Sequence, residues 1–596
     1  MMMTVLGRFV YRWKRMSPHY ARSGSSSAIE YARQRVIMRN VYPDDGFHFY
    51  DTLRSKYRNI GSSELIIPLF SRCAFSTWRS DPDMRQCNTI DDLIETAYDH
   101  LDTISPRGIA AFWFLLVKHV QNHRGGNSRF QLNKQLDAIL CNTLENMKAY
   151  SYRDIATIAI SSAKVMKQVE SHGQRAATGS LQRILHTLLV GINSENKHYI
   201  FSEIAVHAVP ILSEFDARHL SNLIYSFGLA EYVPKDESGR SIFDVLALEA
   251  MSKLNHFNSQ DLSNMLLSYA KMKSSNSVLF KAAGDSFVGM NDVGEFWPQH
   301  FSNMLWAYAT AGQSHPQLYR KLGDHIVAMK DLRHFKPQDF SNILWSYATA
   351  GQLHPLLFQK LADVAIASCN KYNSQDIANL LWAYATVGIN DSQLFTSFAP
   401  AVKSVLGKCN SQNVANVAWA YAVANVNDHS IFNTDFVAAL QAKANDFVPE
   451  HLRQLHQWQL WQDELKSGIN LPPALREECR QSFVSRSYQS SNFQDDVISV
   501  LSSIGMLPEE EVLTSSGYRL DALVEVNGEK VGIEVDGPYH FMNQQPTGST
   551  LLKRRQVNNL DDIRIVSVPY WEWQKLGRDR AKKQQYLRSG VSVRLT

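Results

Sequence analysis
Cysteine is scarce in this 596-residue chain. Its six residues, Cys73, Cys87, Cys141, Cys369, Cys409 and Cys479, never form a Cys-x-x-Cys pair. That spacing excludes a zinc ribbon and a disulfide framework, and it fits a reducing compartment. Long apolar runs are missing too. The longest uncharged one, Gly108 to Val117, spans ten residues, half of the roughly 20 that a bilayer-crossing helix needs, so no membrane span is expected. Charge of one sign is not in excess: the net charge is +4, and bulk electrostatics alone gives no reason to bind nucleic acid. What the chain has in quantity is apolar material, 44% against 20% charged. That composition fills cores and excludes a mainly disordered chain, and the length suggests three or four domains.

The charge is unevenly spread. Residues 1–40 hold eight Lys/Arg and one acid, Glu30, with no acid at all from Met1 to Ile29. Arginines among apolar positions, followed by the Ser-rich patch Ser23 to Ser27, have the composition of an organelle transit peptide. The expected destination is the mitochondrial matrix, with the plastid as the alternative. Residues 41–89 carry no further signal.

The strongest pattern is internal repetition. Six segments align without gaps, from Leu220-Ser-Asn-Leu-Ile-Tyr-Ser-Phe227 through Phe340-Ser-Asn-Ile-Leu-Trp-Ser-Tyr347 to Val414-Ala-Asn-Val-Ala-Trp-Ala-Tyr421. Their asparagines, Asn222, Asn264, Asn303, Asn342, Asn379 and Asn416, lie 42, 39, 39, 37 and 37 residues apart. Weaker echoes at Ile109, Ile155 and Leu452 extend the array over about residues 90–465. Within one unit, Phe340, Ile343, Leu344, Tyr347 and Ala348 follow the amphipathic helix rule, opened by Pro337 and closed by Gly351. A second helix follows, opened by Pro355. The unit is a helical hairpin, and stacked hairpins make an α-solenoid with a long concave surface.

The opposite face of each first helix carries amides and indoles: Asn303 with Trp306, Asn342 with Trp345, Asn379 with Trp382. They could stack on and hydrogen-bond unpaired bases, or they could tie each repeat to the next. Positions that vary between units, Asp261, His300, Asp339, Asp376 and Asn413, are the better candidates for reading base identity.

After a polar stretch, taken as a linker over 466–492, the periodicity changes. Phe493 to Ile504 reads as a helix, and Asn527-Gly528 between two alternating apolar runs signals a two-residue hairpin. The turn fixes the register. Val524 faces Val531, Ala522 faces Ile533 and Leu520 faces Val535 on an apolar side. On the other side Glu525 meets Lys530, Arg519 meets Asp536, and Asp521 meets Glu534. Opposed like charges destabilise a sheet, so Asp521 and Glu534 need a partner: a divalent cation such as Mg²⁺ or Mn²⁺, a shared proton, or a base such as Lys553. With His540 just beyond the Gly537-Pro538 turn, the cluster would suit metal-assisted phosphodiester hydrolysis. Residues 551–590 add ten Lys/Arg against four acids, with Tyr570, Trp571 and Trp573 among them. Phosphate-binding charge then lies beside stacking surfaces.

Gly532-Ile-Glu-Val-Asp-Gly-Pro-Tyr-His-Phe541, Thr550-Leu-Leu-Lys-Arg-Arg555 and Val568-Pro-Tyr-Trp-Glu-Trp573 together closely resemble the RAP domain, placed over 493–596. The repeats are similar to octotricopeptide repeats, whose Pro-Gln start and Leu-Trp-Ala-Tyr-Ala core match Pro298-Gln299 and Leu305 to Ala309. The resemblance implies an organellar RNA-binding protein acting in RNA processing, stability or translation, similar in logic to the FAST kinase-like mitochondrial proteins. Single-stranded RNA would be its partner, with ribonucleoprotein-granule or ribosome-assembly proteins beside it. RNA contacts would fall on Lys553, Arg554, Arg555, Tyr570, Trp571 and Trp573, besides the Asn and Trp pairs of the array. The RAP domain is in turn similar to PD-(D/E)xK restriction-endonuclease-like folds of the very-short-patch-repair type. That pattern places catalytic acids at Asp521 and Glu534, which would also be the metal ligands, followed by Asp536 where a lysine is usual, and His540. A metal-dependent endoribonuclease is thus an alternative function, and a protein-only scaffold a second one.

Overall fold
The computed structural model describes residues 81–122, 132–173, 199–235, 239–485 and 491–592. The transit segment 1–40 and most of region 41–89 lie outside these residues. The chain divides into two compact units, the first up to Phe215 with Leu229–Glu249, the second Asp216–Gly228 with Ala250–Thr596.

In the first unit, α1 (Ile90–Asp99) packs on α3 (Leu132–Glu145), and α2 (Pro106–Asn122) packs on α4 (Tyr152–Gly173). The weak echoes at Ile109 and Ile155 are therefore core faces of paired helices. Helix α5 (Tyr199–Ala208) completes this unit, and the boundary between units passes through α6 (Ala217–Ala230) and α7 (Ile242–Ser252).

The second unit continues as hairpins: α8 (Ser259–Lys271) with α9 (Ser277–Gly289), α10 (Pro298–Thr310) with α11 (Pro316–Ala328), and α12 (Pro337–Thr349) with α13 (Pro355–Ile366). Then come α14 (Ser374–Thr386) with α15 (Ser392–Val405), α16 (Ser411–Ala424) with α17 (Thr434–Gln441), and α18 (Pro449–Glu464) with α19 (Pro473–Val484). First helices pack on first helices from α8 to α18, and second on second from α9 to α15. The repeat tyrosine locks the layers together. Tyr308, Tyr347, Tyr384 and Tyr421 each donate a hydrogen bond to a carbonyl on the second helix of the preceding unit, those of Phe280, Tyr319, Phe358 and Phe395. The rings meet edge to face at 5.0–5.1 Å. Each buried bond contributes about 1 kcal/mol and each ring pair a similar amount.

The varying positions proposed above as base readers have another task. Asp261, His300, Asp339 and Asp376 occupy the third helical position, where their side chains accept the backbone N–H of Asn258, Trp297, Lys336 and Asn373. This is the reciprocal half of a capping box. The three aspartates and Asn413 are buried; the aspartates serve helix starts, and the Asn413 amide donates to the Ser374 hydroxyl at 3.4 Å. The stretch 466–492 is also more than a linker: α19 places Leu475 and Cys479, one turn apart, into the interior against α18.

The C-terminal domain holds α20 (Asn492–Ser503), β1 (Glu509–Leu513), β2 (Arg519–Val526), β3 (Glu529–Asp536), β4 (Phe541–Met542), β5 (Gln545–Pro546), α21 (Gly548–Asp561), β6 (Arg564–Pro569), α22 (Tyr570–Lys575) and α23 (Arg580–Ser592). The main sheet runs β1-β2-β3-β6, antiparallel at the first two junctions and parallel at the last. A parallel junction needs a crossover, which α21 supplies. Asn527 and Gly528 both have positive φ, 54° and 81°, as a tight hairpin turn of this kind requires.

The expected hairpin register holds from Val526–Glu529 to Ala522–Ile533 and stops there. Leu520 does not join Val535. It packs with Tyr518, Val557, Ile563 and Leu460, whereas Ala522 and Val524 pack with Ile533 and Val568 on the other side. The pairing of β1 with β2 skips Glu511, which has a φ of 56°, and Asp521. Such an interruption shifts the alternation by one residue and turns the next side chain to the opposite face.

Candidate nucleic-acid interface
Two sets of residues qualify, one on the array and one in the C-terminal domain. On the array, the five apolar positions of each first helix face the core, which leaves the amide and the indole on the other side. Asn303, Asn342 and Asn379 and Trp306, Trp345 and Trp382 are all half-buried. None of their side-chain amides or indole N–H groups makes a hydrogen bond within the described residues. Polar groups at a protein surface are ordinarily satisfied by water or a ligand, so these are open for binding. At the last pair, Asn and Trp do tie repeats together by hydrogen bonds. There Trp419 donates to Gln457 Oε1 at 2.9 Å and Asn416 Oδ1 accepts from Gln454 at 3.0 Å.

In the C-terminal domain, the acids named from the sequence do converge, but with cations among them. Asp521 Oδ2 accepts the Val535 N–H at 2.6 Å, so a side chain replaces the backbone partner at the point where the ladder stops. Lys553 Nζ lies 2.5 Å from Glu534 Oε2 and 2.7 Å from the Arg519 carbonyl. Asp536 is 1% exposed and is paired with Arg554 at 2.7 Å and His540 at 3.2 Å, and it accepts from Ser567. Arg519, expected opposite Asp536, instead donates to the Glu511 carbonyl at 3.0 Å, because the strands no longer pair at that level.

Of the three neutralising partners open to Asp521 and Glu534, the lysine is in place beside Glu534. A divalent cation needs several oxygen ligands, yet Glu534 Oε2 and the Arg519 carbonyl are both taken by the ammonium. Among the described residues no group of three His, Cys, Asp or Glu could hold a metal.

Burial pushes the Glu534 carboxyl up to about 7, outweighing the attraction of Lys553, with Asp521 adding repulsion. Its Oε1 is buried without a hydrogen-bond partner, so nothing offsets that loss of hydration. Burial raises Asp521 as well, against the Val535 N–H. A carboxyl whose folded pKa exceeds its unfolded one binds more protons when folded, so stability falls as pH rises between the two values. For Glu534 that window runs from 4.5 to about 7. Thermal unfolding of Glu534→Gln should show a smaller loss of melting temperature across this range than the parent chain, and an unchanged slope would refute the assignment.

The remaining sequence candidates divide. Arg555 bridges Glu464 at 3.3 Å and the carbonyls of Ala422 and Val423, at the ends of α18 and α16. Lys553, Arg554 and Arg555 therefore face inward, each engaged by the protein. Trp573 is a core residue that donates to Asp496 at 2.8 Å, not a stacking surface. Tyr570 and Trp571 stay half-buried, and Trp571 meets Phe541 edge to face at 4.3 Å.

Against this geometry, residues 533–589 match the model of the RAP domain family. Residues 533–589 of the C-terminal domain form a RAP domain. Residues 189–449 match a second family model, RNA-editing substrate-binding complex 6 protein. No curated protein matches the chain. The RAP domain also carries exposed cations missing from the residue assignments above. Lys575, Arg578, Arg580 and Arg588 are exposed and have no acidic partner within salt-bridge distance among the described residues. Their signal in the sequence was the excess of base over acid in 551–590, but the count could not separate them from the inward-facing Lys-Arg-Arg triplet.

Proposed function
We propose that this chain binds single-stranded RNA in an organelle, the mitochondrion foremost, and serves RNA editing or processing there. The observation that carries this reading is the row of unpartnered amides and half-exposed indoles on α10, α12 and α14. Stacking on aromatic side chains is worth about 1–3 kcal/mol per base, and every base has a face to stack. The exposed cations of α22, α23 and the turn between them would add phosphate contacts. The match of residues 189–449 to a family named for an RNA-editing substrate-binding complex supports the editing role and a multiprotein partner. The acid-free, Arg-rich start supports the location.

The RAP domain acts in this reading as an anchor and not as a nuclease. Its sheet order and the Asp521–Glu534 pair support descent from a restriction-endonuclease-like fold, with Lys553 standing where a metal would. Purified chain should bind labelled single-stranded RNA with an affinity that drops steeply with salt. Incubation with Mg²⁺ or Mn²⁺ should yield no new RNA ends. Salt-insensitive or undetectable binding would remove the proposal, and metal-dependent cleavage abolished by Asp521→Ala would restore the enzyme.

A further inference from the structure
The row of amides and indoles runs along successive first helices and ends inside the protein. Trp419 and Asn416, at the same positions of α16 as Trp382 and Asn379 of α14, are only 6% and 7% exposed. Their hydrogen-bonding groups are taken by Gln457 and Gln454, which stand at the corresponding positions of α18. Gln457 in turn donates to the Tyr518 hydroxyl at 2.7 Å. Tyr518 donates to Gln556 at 2.8 Å, and Gln556 returns to the Gln457 carbonyl at 2.8 Å. Tyr518 and Gln556 belong to the C-terminal domain, Gln556 within its RAP match, and both are buried.

Backbone contact closes the same place. A Cβ added to Gly548, the first residue of α21, would lie 1.8 Å from the Ala385 carbonyl oxygen and 2.8 Å from the Val423 side chain. Main chain of the RAP domain therefore lies directly against the ends of α14 and α16. Nearby, a Cβ on Gly388 would come 2.8 Å from the Pro546 carbonyl, and Asn543 donates to the Leu353 carbonyl at 3.1 Å. At α16, protein amides fill the positions that are left open at α10, α12 and α14.

We infer that α18, braced by the C-terminal domain through Tyr518 and Gln556, is the stop of the RNA track: bases are taken at Trp306, Trp345 and Trp382, and none enters at Trp419. This rests on the RNA-binding reading and adds where the bound strand must leave the array. Gln454 and Gln457 also define the kind of group each open unit accepts. It must offer an acceptor to the indole N–H and a donor to the asparagine oxygen, as the edge of every nucleobase does.

Ultraviolet crosslinking of the full, unaltered chain to single-stranded RNA of mixed sequence, with mass spectrometry of the crosslinked peptides, tests the stop. Crosslinks are expected on the peptides containing Trp345 and Trp382 and not on that containing Trp419. In parallel, Trp382→Ala should weaken binding between roughly fivefold and 150-fold, the range for one lost stacking contact, while Gln457→Ala changes it by less than about twofold. A crosslink at Trp419, or a Gln457→Ala loss as large as that of Trp382→Ala, overturns the stop while leaving RNA binding in place. No crosslinks and no salt-sensitive binding would overturn both.

Discussion

Replacing Trp306, Trp345 and Trp382 together by alanine should weaken RNA binding at least about a hundredfold. Each stacking contact is worth about 1–3 kcal/mol. The three residues lie on different helices in different repeats, so their losses should nearly add. The fold should survive, because all three are half-buried and sit opposite the face that fills the core. Fluorescence anisotropy with labelled single-stranded RNA, beside circular dichroism to confirm retained helix, measures both quantities. A folded triple variant that binds as tightly as the parent would mean that the indoles are not the interface.

The second large effect concerns the attachment of the RAP domain. Gly548→Ala puts a methyl group 1.8 Å from the Ala385 carbonyl oxygen, and the atom it meets is backbone at the end of α14, which cannot rotate away. The RAP domain must lift, and Arg555 then loses Glu464 and the carbonyls of Ala422 and Val423. Stranding one member of a buried ion pair costs about 3–5 kcal/mol, and the side chain of Glu464 is only 6% exposed. Hydrogen exchange should speed up in α16, α18 and α21 while α10 and α12 keep their protection. Equal protection in α21 of variant and parent would show that the contact tolerates the methyl group.

Much of this architecture could be read from the chain alone, because period and turn chemistry are local. The asparagine spacing set the unit length, Pro337 and Gly351 marked the helix ends, and Asn527-Gly528 fixed the hairpin register. The misreadings share one cause: a side chain's partner was assigned from its neighbours in sequence. The position held by Asp261, His300, Asp339, Asp376 and Asn413 varies between units like a code, but its aspartates accept the N–H three residues back and are buried. Leu520 followed the alternation on paper and crossed to the other face because Glu511 and Asp521 drop out of the ladder. Trp573 lay among charges in the sequence and entered the core, since Asp496, 77 residues earlier, receives its N–H. The Asp521–Glu534 conflict was visible from the register, and Lys553 was among its proposed answers. Choosing among those answers needed the position of α21, which no local pattern encodes.

Lys553, Arg554 and Arg555 are consecutive on a helix, so their side chains leave it about 100° apart. One reaches Glu534, the next Asp536 and the third the far ends of α16 and α18. The order of the three letters therefore matters more than their summed charge. A forked guanidinium can hold two acceptors at once and an ammonium is a compact point donor. A permutation such as Arg-Arg-Lys would keep every charge, and Arg554 on Asp536, yet misplace the bonds made at positions 553 and 555.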